Sequence, residues 1–136
     1  MKGHIIDHSK AVEFILGGKS LFTFLNTKSD NRFTYKVKKH KIDDVYFVSV
    51  LTSPDVYQYI GMIKNQEYTH TRKSKISKES QSVRVFDFVF SKLKTANLPE
   101  FIEIWHEGKC GKCGRTLTVP SSIKSGFGPE CIKMFK

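Results

Sequence analysis

Three cysteines near the C-terminal end are the residues of this chain whose types and spacing point most clearly to chemistry. Cys110 and Cys113 form a C-x-x-C pair in KCGKCGR, and Cys131 follows in GPEC. A C-x-x-C turn lets two thiolates reach one metal ion, and the glycine after the pair allows the left-handed backbone that the turn requires. Pro129 suits the first turn of a short helix over residues 130–135, which would present Cys131 as the third ligand. The cysteines therefore predict a metal site.

His106 is the predicted fourth ligand, because it completes the pattern H-x3-C-x2-C-x17-C. Three sulfurs and one nitrogen in a closed tetrahedral set are typical of structural rather than catalytic zinc. The spacing leaves water or another histidine open as the fourth ligand. A thioredoxin-like redox pair is disfavoured, because Gly114 follows the C-x-x-C pair without a helical pattern.

The segment WHEGKCGKCGRTLTVPSSIKSGFGPEC resembles the C-terminal motif of an uncharacterised family that is widespread in bacteriophages and prophages. The shared motifs are WHEG, C-x-x-C-G-R-x-L-T, P-x-S-I and G-x-G-P-x-C. The resemblance continues upstream through KSLFTFLNTKSDNRFTYKV, VYFVSVLTSPDVYQYIGMI and FDFVF, and so covers most of the chain. It implies a phage origin and a zinc site at His106, Cys110, Cys113 and Cys131. It implies no biochemical role, since that family has none assigned.

The sequence pattern of the helices and strands that must position these residues predicts an α+β protein, in which one main helix packs on a small antiparallel sheet. Alternating aromatic and β-branched residues separated by turn formers indicate strands, and apolar residues at helical spacing indicate helices. The predicted elements are a helix at 9–17 capped by Ser9, a meander of four strands within 20–63, an extra strand at 67–72, a helix at 82–96 capped by Ser82, and a strand at 101–105. Val83, Phe86, Phe90 and Leu93 should form the buried face of the second helix.

The chain divides, on this interpretation, into a core domain at 1–105 and a treble-clef-like zinc module at 106–136. A module of about thirty residues cannot bury a sufficient core of its own, so a metal should supply its folding energy. Residues 72–82 are rich in serine and lysine and predict an exposed loop before the second helix.

The chain is strongly basic: 23 Lys and Arg against 13 Asp and Glu among 136 residues give a formal charge of +10. Such a charge favours polyanionic partners. Lys36 and Lys38 should lie on one face of a strand whose other face carries Phe33, Tyr35 and Val37, which fits either a nucleic-acid surface or an ordinary solvated face. The candidate nucleic-acid-binding residues are Lys36, Lys38, Lys39, Lys112 and Arg115.

The sequence therefore predicts a non-enzymatic, zinc-containing accessory protein that binds the backbone of DNA or RNA with low sequence specificity. The alternative is a phage counter-defence or host-takeover protein that binds and inhibits a host protein such as a defence nuclease. No set of acid, base and nucleophile stands out: Asp43 and Asp44 fit a polar turn, and no H-E-x-x-H motif joins His4 and His8. Without an apolar stretch of 18 residues or a leader-like segment, a cytoplasmic location in the infected or host bacterium is expected.

Overall fold

A computed structural model describes residues 1–135, with only the backbone of Phe135. The elements are β1 (Gly3–Ile5), α1 (His8–Ile15), β2 (Lys19–Asn26), β3 (Asn31–Lys39), β4 (Val45–Ser53), β5 (Val56–Lys64), β6 (Glu67–Thr69), α2 (Gln81–Lys94), β7 (Ile102–His106), α3 (Pro120–Ser125) and α4 (Pro129–Ile132), followed by a 3₁₀ turn at Lys133–Phe135. Among the described residues, no helix combines the length and apolarity needed to cross a bilayer.

The seven strands form one antiparallel sheet in the order β1-β7-β2-β3-β4-β5-β6. The predicted meander is present as β2 to β5, and the predicted α+β class is confirmed. β7 lies between β1 and β2, where His106 pairs with Gly3 on one side and with Phe22 on the other. The strand that leads into the cysteines is therefore held on both sides by the N-terminal part of the chain.

The core lies between one face of the sheet and the helices α1 and α2. The ring of Phe86 on α2 lies 5.8 Å from that of Phe24 and 5.1 Å from that of Tyr35, measured between centroids. Phe14 on α1 packs edge-on against Phe22 at 6.5 Å. The predicted buried face of α2 is confirmed, because its four residues are all buried, together with Val89. The sheet face turned away from α1 and α2 is called the open face below.

Helix starts differ from the predicted caps. Asp7, not Ser9, caps α1, since its carboxylate accepts hydrogen bonds from the backbone N–H groups of Ser9 and Lys10. The N-cap of α2 is Ser80 rather than Ser82, and its side chain makes no capping hydrogen bond. The differences have a common reason: several polar residues precede each helix, and the backbone geometry selects one of them.

Candidate metal centre and basic cleft

The three cysteines come together in the segment that follows β7, residues 107–135, here called the cysteine module. The sulfur atoms of Cys110, Cys113 and Cys131 all lie within 4.8 Å of one another. Tetrahedral zinc with Zn–S bonds of about 2.3 Å holds its sulfurs about 3.8 Å apart. The triad therefore fits a single metal ion with small side-chain adjustments.

A tight hairpin presents the first two cysteines. The Cys110 N–H donates to the carbonyl of Arg115 at 2.8 Å, and the Gly114 N–H donates to the carbonyl of Cys110 at 2.9 Å. Gly114 has φ 78°, a left-handed conformation that glycine adopts without the steric cost of a Cβ. Lys109 and Thr116 close the hairpin as a β-bridge. The geometry matches the turn that the C-x-x-C-G pattern predicts.

The environment of Cys110 favours a thiolate. Burial raises the pKa of its thiol, but N–H groups of Cys113, Gly128 and Lys112 outweigh burial and lower the pKa to about 7. The Gly128 N–H donates to the Cys110 sulfur at 3.3 Å. Backbone donors aimed at a sulfur stabilise its anionic form, which is the form that ligates metals.

Cys131 shows the opposite tendency. Burial raises the pKa of its thiol to about 12, with further contributions from the sulfur groups of Cys110 and Cys113. Anionic sulfurs at this separation repel one another, so without a cation the cluster retains protons. A divalent cation replaces those protons and removes the repulsion. The donor set therefore fits a thiophilic metal ion.

His106 lies apart from the sulfur cluster and is fully buried. Its Nδ1 accepts a hydrogen bond from the Gly108 N–H at 3.0 Å, which leaves Nε2 to donate to the carbonyl of Ile123. A Cβ on Gly3 would lie 2.1 Å from Nε2. The structure thus brings together three of the four predicted ligands. A metal-binding role of His106 stays a prediction, and metal binding by either ring nitrogen would require the loss of the hydrogen bond at that nitrogen.

The cysteine module docks on the rest of the protein through glycines. The carbonyl of Gly111 accepts from the Lys19 N–H, and the Gly111 N–H donates to the carbonyl of Gly126, both at 2.9 Å. A Cβ on Gly111 or on Gly126 would approach the ring of Phe14 to 2.8 or 2.7 Å. Phe127 completes the contact, with its ring centroid 5.7 Å from that of Phe14. Helix α1 therefore supports the backbone on either side of the candidate metal centre.

A basic cleft of about 260 Å³ lies where the open face meets the cysteine module. Four lysines line it: Lys19, Lys36, Lys38 and Lys109. The sequence had indicated Lys36 and Lys38, while the other three predicted residues, Lys39, Lys112 and Arg115, are not among those that line it. Lys19 was missed because its place opposite Lys38 depends on the register of β2 and β3.

The lysines of the cleft are not neutralised by acidic neighbours. Lys19 and Lys38 are directly opposite each other on adjacent strands, a placement that is destabilising for like charges. Within residues 1–135, no ion pair includes any of the four lysines. The Lys109 ammonium donates to the Thr116 hydroxyl at 2.7 Å, which fixes its position without reducing its charge. The cleft is therefore a site at which an anion relieves repulsion.

The comparisons with known proteins concern the cysteine module. Residues 105–135 match the model of a family of unknown function, DUF6011. No curated protein and no solved structure matches the chain. The matched segment contains all three clustered cysteines and His106. The C-terminal segment is thus similar to a family whose function is not known, and the sheet that carries it has no counterpart in these comparisons.

Proposed function

We propose that this chain is a non-enzymatic accessory protein that binds the phosphate backbone of nucleic acid with low sequence specificity, and that a structural zinc ion holds its cysteine module in place. The observation that carries the proposal is the convergence of four lysines, three from the sheet and one from the module, on one cleft. The formal charge of +10 supports the same partner class.

The chemistry of the cleft favours phosphate over bases as the bound group. Lysine ammonium groups act as compact point charges, whereas discrimination among bases requires hydrogen-bonding side chains placed against base edges. A cleft lined by four lysines therefore attracts any polyanionic strand and reads little of its sequence. Electrostatic binding of this type weakens steeply with salt, because the strand recovers its counterions.

Zinc is the proposed metal because three thiolates form a soft donor set and because tetrahedral sulfur-rich sites are typical of structural zinc. Lys19 links the proposed metal and the proposed cleft: its N–H bonds Gly111 within the C-x-x-C turn, and its side chain lines the cleft. Metal analysis of protein purified without added metal should give one zinc ion per chain. Protein that is folded and free of metal would contradict this part of the proposal.

The biological setting that we propose is the cytoplasm of a bacterium that is infected by a phage or carries a prophage. It rests on the motif resemblance of the C-terminal segment alone, since the matched family is described only as one of unknown function. A short basic protein that binds nucleic acid without sequence preference fits that setting, where viral and host strands are both present.

The proposal is tested by binding of the zinc-loaded protein to labelled DNA and RNA over a range of salt concentrations. Lys36→Ala combined with Lys38→Ala should lower the slope of log affinity against log salt by about 1.4 to 1.8, since each phosphate contact contributes about 0.7 on single strands and 0.9 on duplexes. The matched control combines Lys10→Ala with Arg84→Ala, which removes the same charge from exposed positions of α1 and α2.

Two results would overturn the proposal. One is the absence of binding to either nucleic acid at low salt, which would direct the search to a protein partner. The other is an equal loss of affinity in the control variant, which would mean that net charge alone, and not the cleft, accounts for binding.

A further inference from the structure

We propose that the nucleic acid bound by this protein is single-stranded and that it crosses the open face from the basic cleft to the loop at residues 72–80. The inference rests on the proposed function and gives it a substrate class. The observation behind it is that aromatic side chains lie between two groups of lysines on one face of the sheet.

Strand register places lysines and aromatic rings in adjacent rows on the open face. Lys36 on β3 is opposite Ser49 on β4, which is opposite Tyr59 on β5. In the neighbouring row, Lys38 is opposite Phe47. Because successive side chains point to opposite faces, Tyr57 lies on the same face as Tyr59. The path away from the cleft therefore leads from ammonium groups to three rings.

The first ring is in direct contact with the cleft. The Lys36 ammonium, which lines the cleft, lies 4.3 Å from the centroid of the Tyr57 ring. Tyr59 and Phe47 meet edge-to-face at 6.2 Å. All three rings are partly exposed. An ammonium beside an exposed ring can hold a phosphate while the attached base stacks on the ring, which is the arrangement that single-strand-binding surfaces use.

A second basic cleft, of about 310 Å³, lies at the far end of these rings. Tyr59, Lys73 and Lys75 are among the residues that line it. The loop that carries the two lysines is tethered to the ring, because the Thr71 hydroxyl donates to the Tyr59 hydroxyl at 3.0 Å. The order along the face is therefore lysines, rings and lysines again, which matches a strand with phosphates at both ends of a stacked segment.

One acidic side chain acts on a ring of the open face. Burial raises the pKa of the Tyr57 hydroxyl, and the charge of Glu107 contributes, although β5 and β7 are separated by three strands. Glu103 places negative charge on the β7 side of the face, whereas Glu107 is paired with the N-terminal ammonium at 3.2 Å, so a polyanion meets less repulsion toward β5.

The rings decide between a single strand and a duplex. A duplex presents phosphates to the lysines, but its base faces are stacked on one another and cannot contact a protein ring without unstacking. A single strand offers both its phosphates and its base faces. The side chains of the open face therefore contribute their full contact area only to a single strand.

The test compares two ligands with the same number of phosphates, a single-stranded oligonucleotide and a duplex hairpin. The single strand has about 12 nucleotides, within the range of about 4 to 16 that one small single-strand-binding fold covers. DNA and RNA versions of both are titrated at one salt concentration. We expect the single strand to bind more tightly. Tyr57→Leu should weaken single-strand binding roughly 5- to 150-fold, the usual range for loss of one stacked base, and leave duplex binding and the salt slope unchanged.

The control variant is Tyr46→Leu, which makes the same change on the opposite face of the sheet, where Tyr46 packs against the core. A second test uses the unmodified protein, so its result does not require that any variant folds. The protein is crosslinked by ultraviolet light to a photoreactive single strand, and the crosslinked residue is mapped by mass spectrometry. Crosslinks on β4 and β5 are the expected result.

The outcomes separate the two proposals. Equal or tighter binding of the duplex, with no effect of Tyr57→Leu and no crosslinks on the open face, would overturn the single-strand inference and leave the proposed function standing. Failure of both ligands to bind at low salt would overturn both.

Discussion

The sheet with its two helices and the cysteine module differ in what stabilises them. Phe22, Phe24, Tyr35 and Phe86 form one aromatic cluster of completely or nearly completely buried side chains between the sheet and α2. The cysteine module adds few buried apolar side chains to this core, namely Cys110, Leu117 and Phe127. Burial of apolar area accounts for the stability of the sheet and its two helices. The cysteine module has too little of it, so its stability depends on its docking on α1 and, on the proposed function, on a bound metal.

Removal of the metal should have the largest effect and should separate the two regions. Structural zinc binding is worth about 10 to 16 kcal/mol in small modules, so chelation or Cys131→Ser should unfold the cysteine module. Hydrogen exchange measured by mass spectrometry should then show loss of protection over residues 107–135 and retained protection in β2 to β5. Ser121→Ala, an exposed change within the same module, should leave protection intact. Loss of protection throughout the chain would show that the two regions fold as one unit.

Truncation of Phe86 in the aromatic cluster should have the next largest effect. It acts on the sheet and its two helices rather than on the cysteine module. Phe86 contacts the rings of Phe22, Phe24, Tyr35 and others, so Phe86→Ala should lower the free energy of unfolding by about 3 to 5 kcal/mol. Urea denaturation followed by circular dichroism measures the change. Phe88→Ala on the same helix is the matched control, because Phe88 is 46% exposed and should cost little. Equal effects of both variants would contradict the assigned face of α2.

A smaller change tests how tightly the regions are joined. Gly3→Ala places a methyl group 2.1 Å from Nε2 of His106, so β1 or the imidazole must shift, at a cost of about 1 to 3 kcal/mol. Gly128→Ala is the control, since nothing lies within 4 Å of a Cβ there. Thermal denaturation and zinc content should be measured for both variants. Loss of zinc in Gly3→Ala alone would show that the position of His106 governs the metal site, as its predicted role as a ligand requires.

Local patterns in the sequence account for the features that were predicted correctly. The buried face of α2 follows from apolar residues at helical spacing, and the meander follows from alternating residues between turns. The turn at Cys110 and Cys113 follows from the spacing of the pair and from the glycine after it. Each of these depends on residues that are close together in the chain.

The features that were missed depend on residues far apart in the chain. β1 has three residues, too few for a periodic signal, and is held as a strand by pairing with β7. The short helix α3 is an exception, because Pro120 in its first turn and Gly126 at its left-handed C-cap are local signals that the sequence contains. The surroundings of His106 include Gly3 and Ile123, and the cleft requires Lys19 and Lys109 to meet. Spacing alone could not bring these residues together.

The position of β7 has a consequence for the newly made chain. β2 ends at Asn26, and the strand that pairs with it along its other edge begins at Ile102. At about 5 to 20 residues per second, synthesis of the intervening segment takes about 4 to 15 s. During that interval one edge of β2 lacks its partner, and unpaired edges invite association with other chains. The last strand to be made before the cysteines therefore covers this edge of β2 and ends the interval in which it can pair with another chain.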